Sequence, residues 1–258
     1  MARWVIGLGL FGIACQPGSA IGAGSSADCL PSPDESITIR HVHDGDTVIR
    51  ADGERIRLIG IDTPELARKQ RPPDPKAAAA RDYLRNMIRT ADTITARYGP
   101  ERRDDYGRLL AHLYIDDRNA QAELLTAGLA TPLLIAPNLN HADCYQRAAA
   151  AARQTNRGIW ALPQYQPRAA EALTGNERGY HIVTGNVQRI GQSRCCIWLN
   201  LDDDFALRLE RQYLSLFSDY DPAQLLNARL QARGYINKRN NELRMDIRHP
   251  ADLTILGR

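Results

Sequence analysis

Three short segments carry most of the side chains that could do chemistry. They are Asp44-Gly45-Asp46-Thr47, then Arg57-Leu58-Ile59-Gly60-Ile61-Asp62-Thr63-Pro64-Glu65, then Asp105-Tyr106-Gly107-Arg108. Asp46 and Asp62 fall at the edges of one β-hairpin, so a fold can bring them together. Paired carboxylates repel unless a cation neutralises them, and a hard, oxygen-seeking ion such as Ca²⁺ suits them. Glu65 lies three residues beyond Asp62, past a proline that stiffens the turn, and could take the proton of an attacking water. Arg57 and Arg108 could clamp an anion as charge builds on it. An ion, a base and two arginines around one centre describe hydrolysis of a phosphodiester.

The elements that must position these groups can be read from periodicity. Residues 37–42 and 47–50 alternate as strands, Asp52-Gly53 marks a hairpin turn, and Arg55–Ile61 returns. A proline-rich loop, 71–75, precedes Lys76–Thr90, which has the apolar spacing of an amphipathic helix. Residues 93–98 and 109–115 are two further strands. Ala120–Thr126 is a short helix closed by Gly128, and Ala142–Thr155 is an alanine-rich helix ending near Gly158. The tally is five strands and three helices over residues 37–160. Residues 161–179 have little periodicity and are expected to be a linker. A second β-rich unit, 180–258, has strand-like runs at 182–187, 196–201, 205–209, 228–236 and 243–247, with a helix-like stretch at 210–217. Five short strands and that stretch fit a second small barrel. The fold class expected is therefore α+β, mainly β.

The chain has 258 residues, 43% hydrophobic and 24% charged. Those proportions exclude wholesale disorder and a collagen-like or disulfide-knot scaffold. The net charge of +3 does not by itself argue for nucleic acid. Among 33 basic residues only Lys69, Lys76 and Lys238 are lysine, so 30 are arginine. The one long apolar run, Trp4–Cys15, has the length of a signal-peptide core rather than of a membrane span. Residues 1–23 are expected to be removed on export to the periplasm or medium, leaving 24–36 as a polar arm. The alternative is a lipoprotein anchored through Cys15. With Cys15 gone, Cys29, Cys144, Cys195 and Cys196 allow three pairings. Cys195 and Cys196 are neighbours on an expected strand, so their side chains should face opposite ways. A Cys29–Cys144 bridge would tie the arm to a helix.

In order and spacing the three motifs, together with Gly158-Ile159-Trp160, resemble the staphylococcal nuclease (thermonuclease) family from about Ile37 to Trp160. The resemblance implies a five-stranded OB barrel with three helices. It implies that Asp46 and Asp62 hold Ca²⁺ through carboxylates and Thr63 through its carbonyl. Glu65 would position or deprotonate water, while Arg57 and Arg108 would bind phosphate and stabilise the transition state. Asp44 would stand behind the ligands and Tyr106 near the nucleotide. DNA and RNA would be cut with little sequence preference, leaving 3′-phosphates. Two departures stand out. Leu133 and Ile135 occupy places where the family's type member has tyrosines flanking the nucleotide, and Asp105 replaces a lysine. Base stacking contributes ~1–3 kcal/mol per base, so substrate affinity should differ. The second unit resembles an OB-like domain. Its Trp198, Phe205, Tyr235, Arg233, Lys238 and Arg239 could meet a nucleic acid, but aromatics that fill a barrel and charges that solvate it are the favoured reading. A non-catalytic nucleic-acid-binding or envelope interaction protein on the same scaffold is the reading opposed to the enzyme.

Overall fold

The computed structural model describes Cys29 and residues 33–67, 72–239 and 242–257. The expected signal segment 1–23, Cys15 and most of the arm lie outside these residues. Among them, no helix is long and apolar enough to cross a membrane.

The first unit contains β1 (Glu35–Ser36), β2 (Ile39–Val42), β3 (Thr47–Arg50), β4 (Arg55–Leu58), β5 (Gly60–Asp62), α1 (Ala77–Arg89), β6 (Ile94–Arg103), β7 (Leu109–Ile115), β8 (Arg118–Asn119), α2 (Ala120–Thr126), β9 (Thr131–Leu133) and α3 (Ala142–Gln154). Its main sheet runs β1-β6-β7-β4-β3-β2, with β8 on β7. All pairs are antiparallel except β4 with β7. The sheet curls as a half-barrel: among the described residues its edges, β1 and β2, do not pair to close a ring. The expected return strand 55–61 is broken in two. Gly60 has φ +83, and a Cβ there would lie 2.5 Å from the Tyr145 ring. Only glycine fits that left-handed turn under a packed aromatic. The break releases β5 to pair with β9, Asp62 opposite Thr131.

The second unit contains β10 (Pro167–Ala169), β11 (Gly179–Asn186), β12 (Arg189–Gln192), β13 (Cys196–Asp202), β14 (Phe205–Glu210), β15 (Arg229–Arg239), β16 (Glu242–Ile247) and β17 (Leu253–Gly257). These form one sheet in the order β10-β11-β15-β16-β14-β13-β12, with β17 on β15. It has eight strands where the sequence suggested five. The unforeseen strands, β10, β12 and β17, are three to five residues long and contain proline or glycine, which weakens a strand pattern. The expected helix-like stretch is a 3₁₀ segment, Arg211–Leu216. Residues expected to form a linker carry two 3₁₀ turns, Pro163–Tyr165 and Ala170–Ala172, and β10, which pairs parallel with β11. The two units share a core: Tyr165, Tyr180 and Ile182 are buried in one cluster with Trp160, Leu58 and Tyr145.

Cys29 and Cys144 are joined, their Cα atoms 5.9 Å apart. Cys195 and Cys196 are also joined. The expectation of opposite faces fails because Cys195 lies in the bend before β13, outside the pleat that enforces alternation.

A buried histidine makes the first unit acid-sensitive. His112 on β7 is fully buried, with Nδ1 2.8 Å from the Tyr145 hydroxyl. Burial, then the neighbouring His141 and Arg97, pushes its pKa down to about 3 from 6.5. The folded state therefore binds fewer protons than the unfolded one between those values. Stability present above pH 6.5 should be lost as pH falls toward 3, by up to ~1.4 kcal/mol per pH unit. Urea unfolding at stepped pH values reads the slope. The assignment fails if His112→Gln, once folded, keeps the same slope.

Candidate active site

The Asp44-Gly45-Asp46 loop joins β2 to β3. The His43 amide donates to the Thr47 carbonyl at 2.9 Å, which tightens the loop. Gly45 is required by crowding rather than by φ. A Cβ there would stand 2.7 Å from the Ala80 Cβ on α1 and 2.8 Å from the Thr63 Oγ1. The alanines of α1 and this glycine let helix and loop approach closely. Asp44 and Asp46 are both buried, at 6% exposure.

Asp46 is held from three sides. Its Oδ2 accepts from the Thr63 amide and hydroxyl, each at 2.9 Å, and its Oδ1 accepts from the Thr47 hydroxyl at 3.1 Å. Its own amide donates to Asp44 Oδ1 at 3.1 Å. Arg57 on β4 stands between the acids. Its Nε is 3.3 Å from Asp46 Oδ1, and its Nη2 donates to Asp62 Oδ1 at 2.6 Å. Nη1 donates to the carbonyls of Leu58 and Ile61, at 3.0 and 2.9 Å. The sequence-predicted Asp44, Asp46, Arg57, Asp62 and Thr63 are thus one connected cluster.

Its electrostatics are lopsided. Burial works against the Arg57 charge, yet Asp46, Asp62 and Asp44 outweigh it and raise its pKa. Burial raises the Asp62 pKa to about 6; Arg57 opposes the rise and Asp46 adds to it. Burial and the neighbouring Asp46 also raise that of Asp44. Asp46 and Asp62 share one guanidinium and Asp44 stands behind Asp46, so carboxyl groups outnumber the guanidinium that contacts them. Among the described residues, no group of three or more His, Cys, Asp or Glu gathers as a metal cage. The set implied for Ca²⁺ contains only two carboxylates, completed by a backbone carbonyl. Oxygen donors and surplus carboxyl groups fit that ion.

Glu65 lies past Pro64 in a loop fixed by reciprocal contacts. Its amide donates to Asp74 Oδ2 at 3.1 Å, and the Asp74 amide donates to its carbonyl at 2.8 Å. Asp62, Thr63 and Glu65 line a cleft of about 690 Å³, together with Leu133. The opposite wall comes from the second unit and includes Arg178, Tyr235 and Arg248.

Arg108 and Tyr106 sit apart from this cluster. Arg108 immediately precedes β7, whose Leu109 pairs with Ile56 and Leu110 with Arg57 on β4. Its Nε donates to Asp104 Oδ2 at 2.7 Å, and its guanidinium lies 5.5 Å from the Tyr106 ring. Tyr106 is 85% exposed. Both residues line a separate depression of about 420 Å³ that includes Arg55 and Arg103.

Two residues of the site were not singled out by sequence reasoning. Asp104 lies one position before the third motif and holds Arg108. Tyr235 is one of several aromatics of the second unit by sequence; in the fold its hydroxyl donates to Asp62 Oδ2 across 173 residues of chain. No local pattern could have revealed that contact.

The chain matches the family model described as "Staphylococcal nuclease homologue" over residues 55–162, a span that starts downstream of Asp46. It is 34% identical over 129 residues to the thermonuclease of Staphylococcus intermedius, covering 49% of this chain and 76% of that one. It is 28% identical over 138 residues to the thermonuclease of Staphylococcus hyicus, covering 52% and 81%. A match to Endonuclease YhcR of Bacillus subtilis, 32% identical over 139 residues, covers 47% of this chain and 11% of that larger protein. With a half-barrel that buries an Asp46–Arg57–Asp62 cluster, and relatives of this identity and coverage, the chain belongs to the staphylococcal nuclease family.

Proposed function

We propose that this protein is an exported, Ca²⁺-dependent endonuclease that hydrolyses phosphodiester bonds of DNA and RNA with little sequence specificity, leaving 3′-phosphates. The observation that carries the reading is the cluster itself: buried carboxylates in excess over one guanidinium, at the edge of a cleft lined by Glu65. A buried cluster of unbalanced charge is costly to keep without a chemical task. Membership in the family makes the chain a nuclease hydrolase acting on nucleic acids. The 3′-phosphate product rests on the resemblance, and export on the apolar N-terminal run.

Asp46 and Asp62 would hold the ion by carboxylates and Thr63 by its carbonyl. When bound, the ion supplies positive charge against the scissile phosphate and acidifies nearby water. Glu65 takes the proton of the attacking water. Arg57 keeps the two carboxylates in place, its nitrogens being engaged with them and with two carbonyls. Arg108, aimed by Asp104, is the arginine left to meet phosphate oxygens, and the exposed Tyr106 beside it offers a ring to a base.

The test is cleavage of single-stranded DNA and of RNA by the mature protein in Ca²⁺ and in excess EDTA, with Glu65→Ala alongside. Cleavage should require Ca²⁺ and drop by ~10²–10⁴ in the variant, the usual contribution of a general base. Undiminished cleavage in EDTA would remove the metal from the reading. Binding without turnover in any divalent ion would reassign the chain as a binding module.

A further inference from the structure

The second unit reaches into the candidate active site through one side chain. Tyr235 on β15 donates its hydroxyl to Asp62 Oδ2, the carboxylate oxygen that Arg57 does not hold. Arg57 alone grips Asp62 on one oxygen and leaves the other free to swing. The hydroxyl fixes it.

The tyrosine is aimed by a built stack. β11 pairs with β15 so that Tyr180 lies opposite Tyr235, and their rings meet edge to face with centroids 5.7 Å apart. Tyr180 stacks on Tyr165 at 5.7 Å, and both rings meet Trp160 edge-on, at 6.1 and 5.7 Å. Trp160 is buried in the core of the first unit, in one cluster with Tyr165 and Tyr180. A chain of rings therefore runs from that core through the second unit and back to Asp62. Such contacts stabilise by ~0.5–1.5 kcal/mol per pair beyond area burial and restrict ring motion. A hydroxyl placed this way needs little ordering when the site fills.

We infer that Tyr235 is a positioning residue for Asp62, so that the second unit is a working part of the ion site rather than an appendage. This rests on the calcium reading above. Groups that hydrogen-bond to a ligating carboxylate orient it, and their loss typically lowers metal affinity or activity 10–100-fold. Tyr235 touches neither the ion nor the substrate in this role; it acts through Asp62.

The experiment is calorimetric titration of the full mature chain with CaCl₂, for the wild type, Tyr235→Phe and Asp46→Asn. Phe keeps the ring and its packing on Tyr180 and removes only the hydroxyl. The expected result is a 10–100-fold weaker Ca²⁺ Kd for Tyr235→Phe, with its melting temperature in EDTA close to that of the wild type. A merely structural role would move the EDTA melting temperature and leave the affinity of the folded protein in place. An unchanged Kd overturns the inference. A tighter one also overturns it, because the hydroxyl would then be competing with the ion. The calcium reading fails separately: in that case Asp46→Asn binds Ca²⁺ as the wild type does, or neither binds it.

Discussion

Arg57→Ala is expected to cost about 3–5 kcal/mol of stability in EDTA, the usual result of removing one partner from a buried ion pair. Arg57 is 11% exposed in its side chain and lies between two acids that are 9% and 19% exposed. With alanine, Asp46 and Asp62 face each other without a counter-charge, and the carbonyls of Leu58 and Ile61 lose their donor. A neutral substitute of similar volume, Arg57→Met, should fare little better because the acids remain. Ca²⁺ should return part of the loss, since it supplies the charge that was removed. Cleavage should fall by about 10–100-fold, the scale for losing a group that orients metal-ligating side chains. Equilibrium denaturation with and without Ca²⁺, paired with cleavage rates, separates the two effects. A loss under ~1 kcal/mol in EDTA would mean that the carboxylates are not held as an ionic cluster.

The cluster was legible in sequence because its members lie in two short motifs joined by one hairpin. Asp46 and Arg57 need only the turn at Gly53 and the register Thr47 opposite Arg57 to meet, and Asp62 and Thr63 follow within six residues of Arg57. The helices were legible for the same reason: α2 spans the Ala120–Thr126 expected from its cap and spacing. What stayed hidden depends on tertiary contact. The split of β4 from β5 follows from the Tyr145 ring lying over Gly60, and Tyr145 comes from α3. The Tyr235 contact requires β15 to pair with β11 and the second unit to dock on the first. The strands β10, β12 and β17 owe their existence to neighbours, for three to five residues with a proline or glycine have no pattern of their own. Arg108 is an intermediate case. Its partner Asp104 is close in sequence, but Asp105 drew attention as the departure from the family, and the carboxylate that holds the arginine is the one before it.

Removing the Cys29–Cys144 bridge is expected to destabilise the protein by about 4–5 kcal/mol, as the chain-entropy model predicts for a loop of this length. The bridge spans 115 residues and encloses almost the whole first unit. Both cysteines are buried, Cys29 at 1% exposure and Cys144 at 6%, so Cys29→Ala with Cys144→Ala tests the cross-link with little added polarity. The vicinal Cys195–Cys196 bridge provides an internal contrast. It closes a loop of essentially no length, so Cys195→Ser with Cys196→Ala should change stability far less. The midpoint of urea unfolding, measured oxidised and reduced, should therefore shift in the wild type and in the Cys195/Cys196 variant, and stay fixed in the Cys29/Cys144 variant. That pattern would match a protein whose folding relies on an oxidising compartment, as the N-terminal apolar run suggests. A Cys29/Cys144 variant within ~1 kcal/mol of the wild type would show that the shared core alone fixes the arm, and would withdraw the disulfide as support for export.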